Sequence, residues 1–282
     1  MFTIQTLENS TLAEIAGCFN AAFADYLVPI HVDEAKLTTK FRQENILPEW
    51  SAGVIHKGQL VGFILNGYRV VDGRGVLYNG GTGVIPEYRG QKLTGKMYAF
   101  LKERGEAAGI RHFVLEFIKG NDRARKVYEN IGFSVSREFN LYKGGRPEEA
   151  VSQTTITIQQ IKQANWAAWD NWREMVPCWS GANESVDALG DEAFVAVAMA
   201  GTETIGYIAL NRPTARLLQL AVAPAFRRQK VATRLLQFAF DAINADQMLV
   251  LNVDAGTESL NAFFHAIGWP VALQQFEMVM QG

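Results

Sequence analysis

The sequence predicts an α/β fold built twice in tandem, each copy setting helices against a mixed sheet. Three observations predict it. The stretch Val84-Ile85-Pro86-Glu87-Tyr88-Arg89-Gly90-Gln91-Lys92-Leu93 recurs as Val222-Ala223-Pro224-Ala225-Phe226-Arg227-Arg228-Gln229-Lys230-Val231, with Val, Pro, Arg, Gln and Lys identical in register. Val61-Gly62-Phe63-Ile64 before it matches Ile205-Gly206-Tyr207-Ile208, and Ile131-Gly132-Phe133 after it matches Ile267-Gly268-Trp269, in the same order. The length, 282 residues, exceeds the usual size of one domain. The expected domains are 1–146 and 152–282, meeting in the polar, turn-rich stretch from Gly144 to Gln153.

In the first copy, Leu12, Ile15, Ala16 and Phe19 fall at helical spacing, and a second helix is expected over Leu37 to Glu44 after an irregular segment through Pro29 and His31. Val54 to Ile55 and Leu60 to Leu65 predict a hairpin around Lys57-Gly58, and Val76 to Val84 a third strand. Leu93, Met97 and Leu101 mark the helix that follows Arg89. Phe113 to Ile118 is a short apolar strand, and Ala124, Val127, Tyr128 and Ile131 share one face of a last helix. Strand, turn, helix, strand, helix is an α/β order.

Composition bounds the function. A hydrophobic fraction of 48% with 20% charged residues is that of a globular protein. A net charge of -2 argues against a broad basic surface for nucleic acid. Met1 to Thr11 has no basic stretch leading into an apolar run, and no segment reaches the ~20 apolar residues of a membrane span. A cytoplasmic protein that works away from membranes is expected. Cys18 and Cys178 have neither disulfide-framework nor metal-ligand spacing, so buried free thiols and no metal are expected.

Chemistry concentrates between Val84 and Gly95. A turn that opens a helix aims unpaired backbone N–H groups and the positive end of the helix dipole at one point, a site for phosphate, and Lys92 and Lys96 add positive charge. On these facts an anion site and an ordinary helix start remain equally open.

Val84-x-Pro86-x-x-Arg89-Gly90-Gln91-x-Leu93 resembles the acetyl-CoA pyrophosphate loop of the GNAT acyltransferase superfamily. Asn121-x-x-Ala124-x-x-x-Tyr128-x-x-x-Gly132-Phe133 resembles that superfamily's second signature, and Leu115-Glu116-Phe117 its Leu-Glu-Val strand. The resemblance covers Val61 to Phe133. It implies two GNAT-like domains, each a mixed, mostly antiparallel twisted sheet flanked by helices. It also implies acetyl-CoA as co-substrate and a small-molecule or peptide amine as acceptor. One departure stands in both copies: the family's central Gly is Lys92 here and Lys230 in the second copy. Because backbone N–H groups hold phosphate, Lys is expected to be tolerated there with a negative φ and its side chain turned away.

Residue by residue, the resemblance assigns cofactor contacts to Gly83, Val84, Arg89, Gly90, Gln91, Lys92, Leu93, Thr94, Gly95 and Asn121. The Val84 N–H polarises the thioester carbonyl, Asn121 meets the pantetheine arm, and Tyr128 protonates the departing sulfur. Without the motif, Tyr128 is a core aromatic. An amine acceptor is mostly protonated in water, so a base is needed. The strand Tyr78 to Val84 holds no carboxylate. Glu116 is the leading base candidate, with a structural carboxylate as its other reading; His31 and Tyr26 are weaker options.

The second copy has Asn252, Thr257 and Phe264 where the first has Glu116, Asn121 and Tyr128. Three readings follow: a degenerate partner, which is the favoured one, an acetyl-CoA binder without chemistry, or an enzyme with other groups. A non-catalytic acyl-CoA sensor or scaffold is the alternative for the whole protein. Trp166, Trp169, Trp172 and Trp179 form either an aromatic wall for a cationic acceptor or, more commonly, packing.

Overall fold

The computed structural model describes residues 1–25, 30–148 and 155–281. Local chemistry starts the first helix. Thr11 accepts from the Glu14 amide while the Glu14 carboxylate accepts from the Thr11 amide, a capping box that opens α1 (Leu12–Ala22). The Asp33 carboxylate caps α2 (Glu34–Glu44) by accepting from the Lys36 amide, and Asn45 closes it in the left-handed region. Lys57 and Gly58, both with positive φ, turn β2 (Ala52–His56) into β3 (Gln59–Val71). Asp72 and Gly73 then turn β3 into β4 (Arg74–Val84), so this hairpin runs longer than the apolar pattern predicts. A first strand, β1 (Phe2–Thr6), pairs with β2 and is not signalled by the pattern. The remaining elements of the first half are α3 (Leu93–Ala107), β5 (His112–Ile118), α4 (Asp122–Ile131) and β6 (Ser134–Gly144).

The second half repeats the order as β7 (Thr157–Ile161), α5 (Trp166–Trp169), α6 (Asn183–Ala188), β8 (Ala193–Ala200), β9 (Glu203–Asn211) and β10 (Arg216–Val222). It continues with α7 (Val231–Ile243), β11 (Met248–Asp254), α8 (Glu258–Ala266) and β12 (Val271–Gln281).

Two compact units result, and they are not the two sequence halves. Unit 1 comprises Met1–Ser136 together with Phe276–Gly282, and unit 2 comprises Arg137–Gln275. The expected division at 1–146 and 152–282 therefore differs from the compact units at both strand-bearing ends. Part of the expected boundary, residues 149–153, lies outside the described residues.

In unit 1 the strand order is β1-β2-β3-β4-β5, followed by the Phe276 end of β12. Pairing is antiparallel from β1 to β4, and β4 runs parallel to β5. One face packs Ile15, Phe19 and Leu37 of α1 and α2 on Phe63 and Leu65. The other packs Leu93, Met97 and Leu101 of α3 on Phe113, Leu115, Met278 and Met280.

Unit 2 has the order β6-β11-β10-β9-β8-β7, with β10 parallel to β11. Its core gathers Tyr142, Phe194, Leu235, Phe240, Phe264 and Trp269. Trp169 is buried and stacks on Tyr207, with Trp166 and Trp172 against the same ring. Trp169 is core packing, while Trp166 and Trp172 are partly buried against it and Trp172 also lines a cavity of unit 2. Cys18 and Cys178 are buried free thiols, and burial pushes Cys18 up to about 12. No helix of the described residues is long and apolar enough to cross a membrane.

Candidate active site

The sheet of unit 1 opens at one point. Parallel pairing of β4 with β5 runs from Val76↔His112 to Asn79↔Leu115 and stops. Just there β4 bulges: Leu65 faces Gly81 while Asn66 faces Asn79, which leaves Gly80 as the extra residue. Asn79 holds the bulge, because its Oδ1 accepts from the Gly81 amide while its Nδ2 donates to the Thr82 and Tyr98 hydroxyls, each at 2.7 Å. Beyond the bulge the strands diverge into a fork.

Which amides enter the fork follows from the register. The Ile85 N–H donates to the Val61 carbonyl at 3.0 Å, so the Val84 amide points away from β3, towards the fork. By the two-residue alternation, the Thr82 amide does the same, one step nearer the apex. The sequence reading identified Val84 and missed Thr82, because the bulge that aims it has no sequence signal besides Gly80-Gly81.

At the open end of the fork lies the N-terminus of α3. Its first position follows Lys92, which offers no side-chain cap. The amides of Leu93, Thr94 and Gly95 thus sit in the first turn before any intrahelical acceptor is available. Gly90 (φ 81°) and Lys92 (φ 56°) both take left-handed backbone. The expected negative φ at Lys92 is therefore corrected; the turn into α3 needs the left-handed conformation and Lys adopts it. Gln91 donates to the Tyr88 carbonyl, and the Leu93 side chain is buried in the core.

Arg89 is committed within the loop. Its Nε donates to the Val84 carbonyl, one nitrogen to the Ala22 carbonyl, and both terminal nitrogens to the Asp25 carboxylate, at 2.6 to 3.0 Å. Those hydrogen bonds hold the Asp25 carboxyl below its ordinary value. Arg89 thus ties the loop to the end of α1. Gly83 is needed for packing: a Cβ there would lie 2.8 Å from Ala22 and Phe63.

Tyr128 is half-buried on α4, with its ring edge-on to Tyr98 and Phe133 and tilted on Phe117. Asn121 is the N-cap of α4, its Oδ1 accepting from the Ala124 amide at 3.1 Å. Glu116 follows Leu115 directly, on the diverging part of β5. Phe113, Leu115 and Phe117 of this strand pack towards α3, so Glu116 belongs to the opposite face, that of α1 and α2. His31 is exposed in a loop, and Tyr26 lies outside the described residues.

Unit 2 carries the same frame. Pairing of β10 with β11 stops at Leu217↔Val250, and the Ala223 N–H donates to the Ile205 carbonyl, which turns the Val222 amide to the fork. Arg227 repeats the Arg89 clamp, with Nε on the Val222 carbonyl and a terminal nitrogen on Glu174. Lys230 precedes α7 with φ 64°, and Arg228 has φ 62°. The fork holds a cavity of about 570 Å³, lined among others by Val222, Arg228, Lys230, Asn252 and Phe263. Phe264, standing where unit 1 has Tyr128, is buried and stacked on Tyr142 and Trp269.

A diverging parallel strand pair with an uncapped helix at its open end defines an acyl-CoA-type transferase fold. Comparison with known proteins agrees. Residues 15–133 match the model of the acetyltransferase (GNAT) family, and residues 160–279 that of an acetyltransferase (GNAT) domain. The chain belongs to the GNAT acyltransferase family, as a tandem of two such domains.

Among solved structures, a GCN5-related N-acetyltransferase from Sphaerobacter thermophilus is 13% identical over 99% of this chain and 95% of its own, with a TM-score of 0.75. The tandem GNAT protein from the clavulanic acid biosynthesis pathway is 12% identical over 100% and 98%, with a TM-score of 0.71. A glucosamine N-acetyltransferase region of a fungal multi-domain β-N-acetylglucosaminidase is 14% identical over 99% and 38%, with a TM-score of 0.75. At such identities the likeness is one of fold. No curated protein matches.

Proposed function

We propose that the chain is an N-acetyltransferase that passes the acetyl group of acetyl-CoA directly to an amine, with the chemistry in unit 1. One observation carries this: the fork of unit 1 combines inward amides at Thr82 and Val84, the open amides of α3, and a tyrosine on α4. Leu93, Thr94 and Gly95 amides bind the diphosphate, and Lys92 and Lys96 lend charge. Gly90 and Gln91 shape the loop, and Arg89 fixes it from behind. Asn121 caps α4 with its Oδ1 and turns its Nδ2 to the pantetheine arm. The Val84 and Thr82 amides stabilise negative charge on the thioester oxygen, a preorganised term worth roughly 10² to 10³ in rate per donor. Tyr128 protonates the leaving thiolate, and Glu116 is a candidate for taking the proton of the acceptor.

The test is thiol release from acetyl-CoA with a panel of primary amines. Tyr128→Phe is expected to lower kcat by about 10²-fold, with acetyl-CoA affinity within about twofold of wild type. Normal acetyl-CoA binding with no thiol from any amine would rule out acetyl transfer. The second possibility, a non-catalytic acyl-CoA sensor, would then gain. It is favoured by the cavity at the fork of unit 2, which has the loop and amides for a cofactor and Phe264 where an acid would stand.

A further inference from the structure

We propose that Glu44 is the carboxylate that receives the acceptor's ammonium group, and that Lys40 occupies this place in the free protein. This deepens the acetyltransferase function, on which it rests, and assigns the acceptor to protonated amines.

Three observations converge. First, Glu44 points at the sheet. It is 8% exposed, and a Cβ built on Gly80 would lie 2.4 Å from its Oε2. The strand is bare at Gly80 and the carboxylate fills the vacated space. Second, Gly80 is the bulge residue at the apex of the fork, immediately after the last β4–β5 pair and two residues before the inward amide of Thr82. The carboxylate therefore stands where the reacting end of an acyl chain must come to meet its acceptor. Third, the site already binds an ammonium. The Lys40 Nζ lies 2.7 Å from both Glu44 oxygens, and its side chain stays 26% exposed, so this cation can leave through solvent.

Stability alone does not account for the arrangement. An i,i+4 ion pair on a helix contributes only about 0.2 to 0.5 kcal/mol, and buried pairs are often replaced by apolar residues without loss. A leucine at position 44 would pack on Ile46 and the glycines of β4 at lower desolvation cost. A carboxylate there suits a charged visitor. The strand Tyr78 to Val84 has no carboxylate of its own, and α2 supplies one across the glycine.

The experiment uses the full chain with Glu44→Gln, Lys40→Met and Gly80→Ala. Gly80 lies outside the left-handed region, so its Ala variant acts by pushing the flexible end of Glu44 aside. With n-butylamine as acceptor, E44Q and G80A are expected to raise the acceptor KM by about tenfold or more, with the acetyl-CoA KM unchanged. K40M removes a competing cation and is expected to lower the acceptor KM about threefold or more. A purely structural ion pair predicts damage of the same sign from all three variants. Should E44Q fail to fold, G80A and K40M still decide. The proposal falls if E44Q leaves the acceptor KM within twofold, or if K40M raises it.

Binding of n-butylammonium to the chain without acetyl-CoA, followed by NMR, separates this proposal from acetyl transfer itself. If no amine yields thiol, acetyl transfer fails; butylammonium binding that is lost in E44Q still upholds Glu44. Equal binding by wild type and E44Q overturns it, whatever the turnover.

Discussion

Lys92 and Lys230 stand where the family's loop has its central Gly, and both hold left-handed backbone. For a residue with a Cβ that conformation costs about 1 to 2 kcal/mol, whereas Gly loses about 0.5 to 1 kcal/mol through the freedom of its unfolded chain. Lys92→Gly is therefore expected to stabilise the protein by about 0.5 to 1 kcal/mol in denaturant unfolding, and Lys92→Ala to give no gain. The same Lys92→Gly variant should bind acetyl-CoA more weakly at low salt, since it removes a charge beside the phosphate site. A second residue-scale prediction concerns alkali. Burial pushes the Tyr207 hydroxyl from 10.0 up to about 12. Its contribution is complete below the unfolded value, about 10, and is lost as pH rises towards the folded value, because the unfolded chain releases the proton first. Between pH 10 and 12 stability should fall by about 1 kcal/mol per pH unit from this group, and Tyr207→Phe should flatten that slope in pH-resolved urea titrations.

At the scale of elements, what was legible in the sequence was what is local. The apolar spacing from Ala124 to Ile131 marks one helix, and the structure has that helix, with Asn121 as its N-cap. The repeated Val-x-Pro-x-x-Arg loop likewise marks both strand-to-helix turns. Functional groups brought in from a distance were not legible. Glu44 stands in the sequence only as the end of an expected helix, and nothing local joins it to Gly80, 36 positions later. Arg89 was expected among the cofactor contacts because its motif sits at the phosphate turn, and only the fold shows Asp25 waiting for it. Asn121 serves two purposes, and they can be separated. Asn121→Asp keeps a capping oxygen, so the thermal stability of unit 1 should hold. Asn121→Ala removes it and should cost about 1 kcal/mol. If Asn121 also meets the pantetheine arm through its Nδ2, both variants should raise the acetyl-CoA KM.

For the whole molecule, duplication of sequence did not yield duplication of units in sequence order. The strand from Arg137 to Gly144 belongs to unit 2, and the last strand, from Phe276, belongs to unit 1. No local pattern could reveal this: β6 and β12 look like the final strands of their own halves, and pairing across more than a hundred residues leaves no periodic trace. The consequence is energetic. Unit 1 has Met278 and Met280 in its core, and unit 2 has Phe139 and Tyr142 in its own, all of them 3% exposed or less. Truncating a buried Met or Phe to Ala costs about 2 to 5 kcal/mol, so losing two such side chains with their strand consumes most of the about 5 to 15 kcal/mol that stabilises a domain. Fragments 1–148 and 155–282, produced separately, are therefore each expected to lack a cooperative thermal transition. Produced together, they should recover one, since each then supplies the strand the other unit requires. A cooperative melt from either fragment alone would show that the exchanged strand is dispensable, and the Met278→Ala variant of the intact chain should then destabilise unit 1 by less than about 1 kcal/mol.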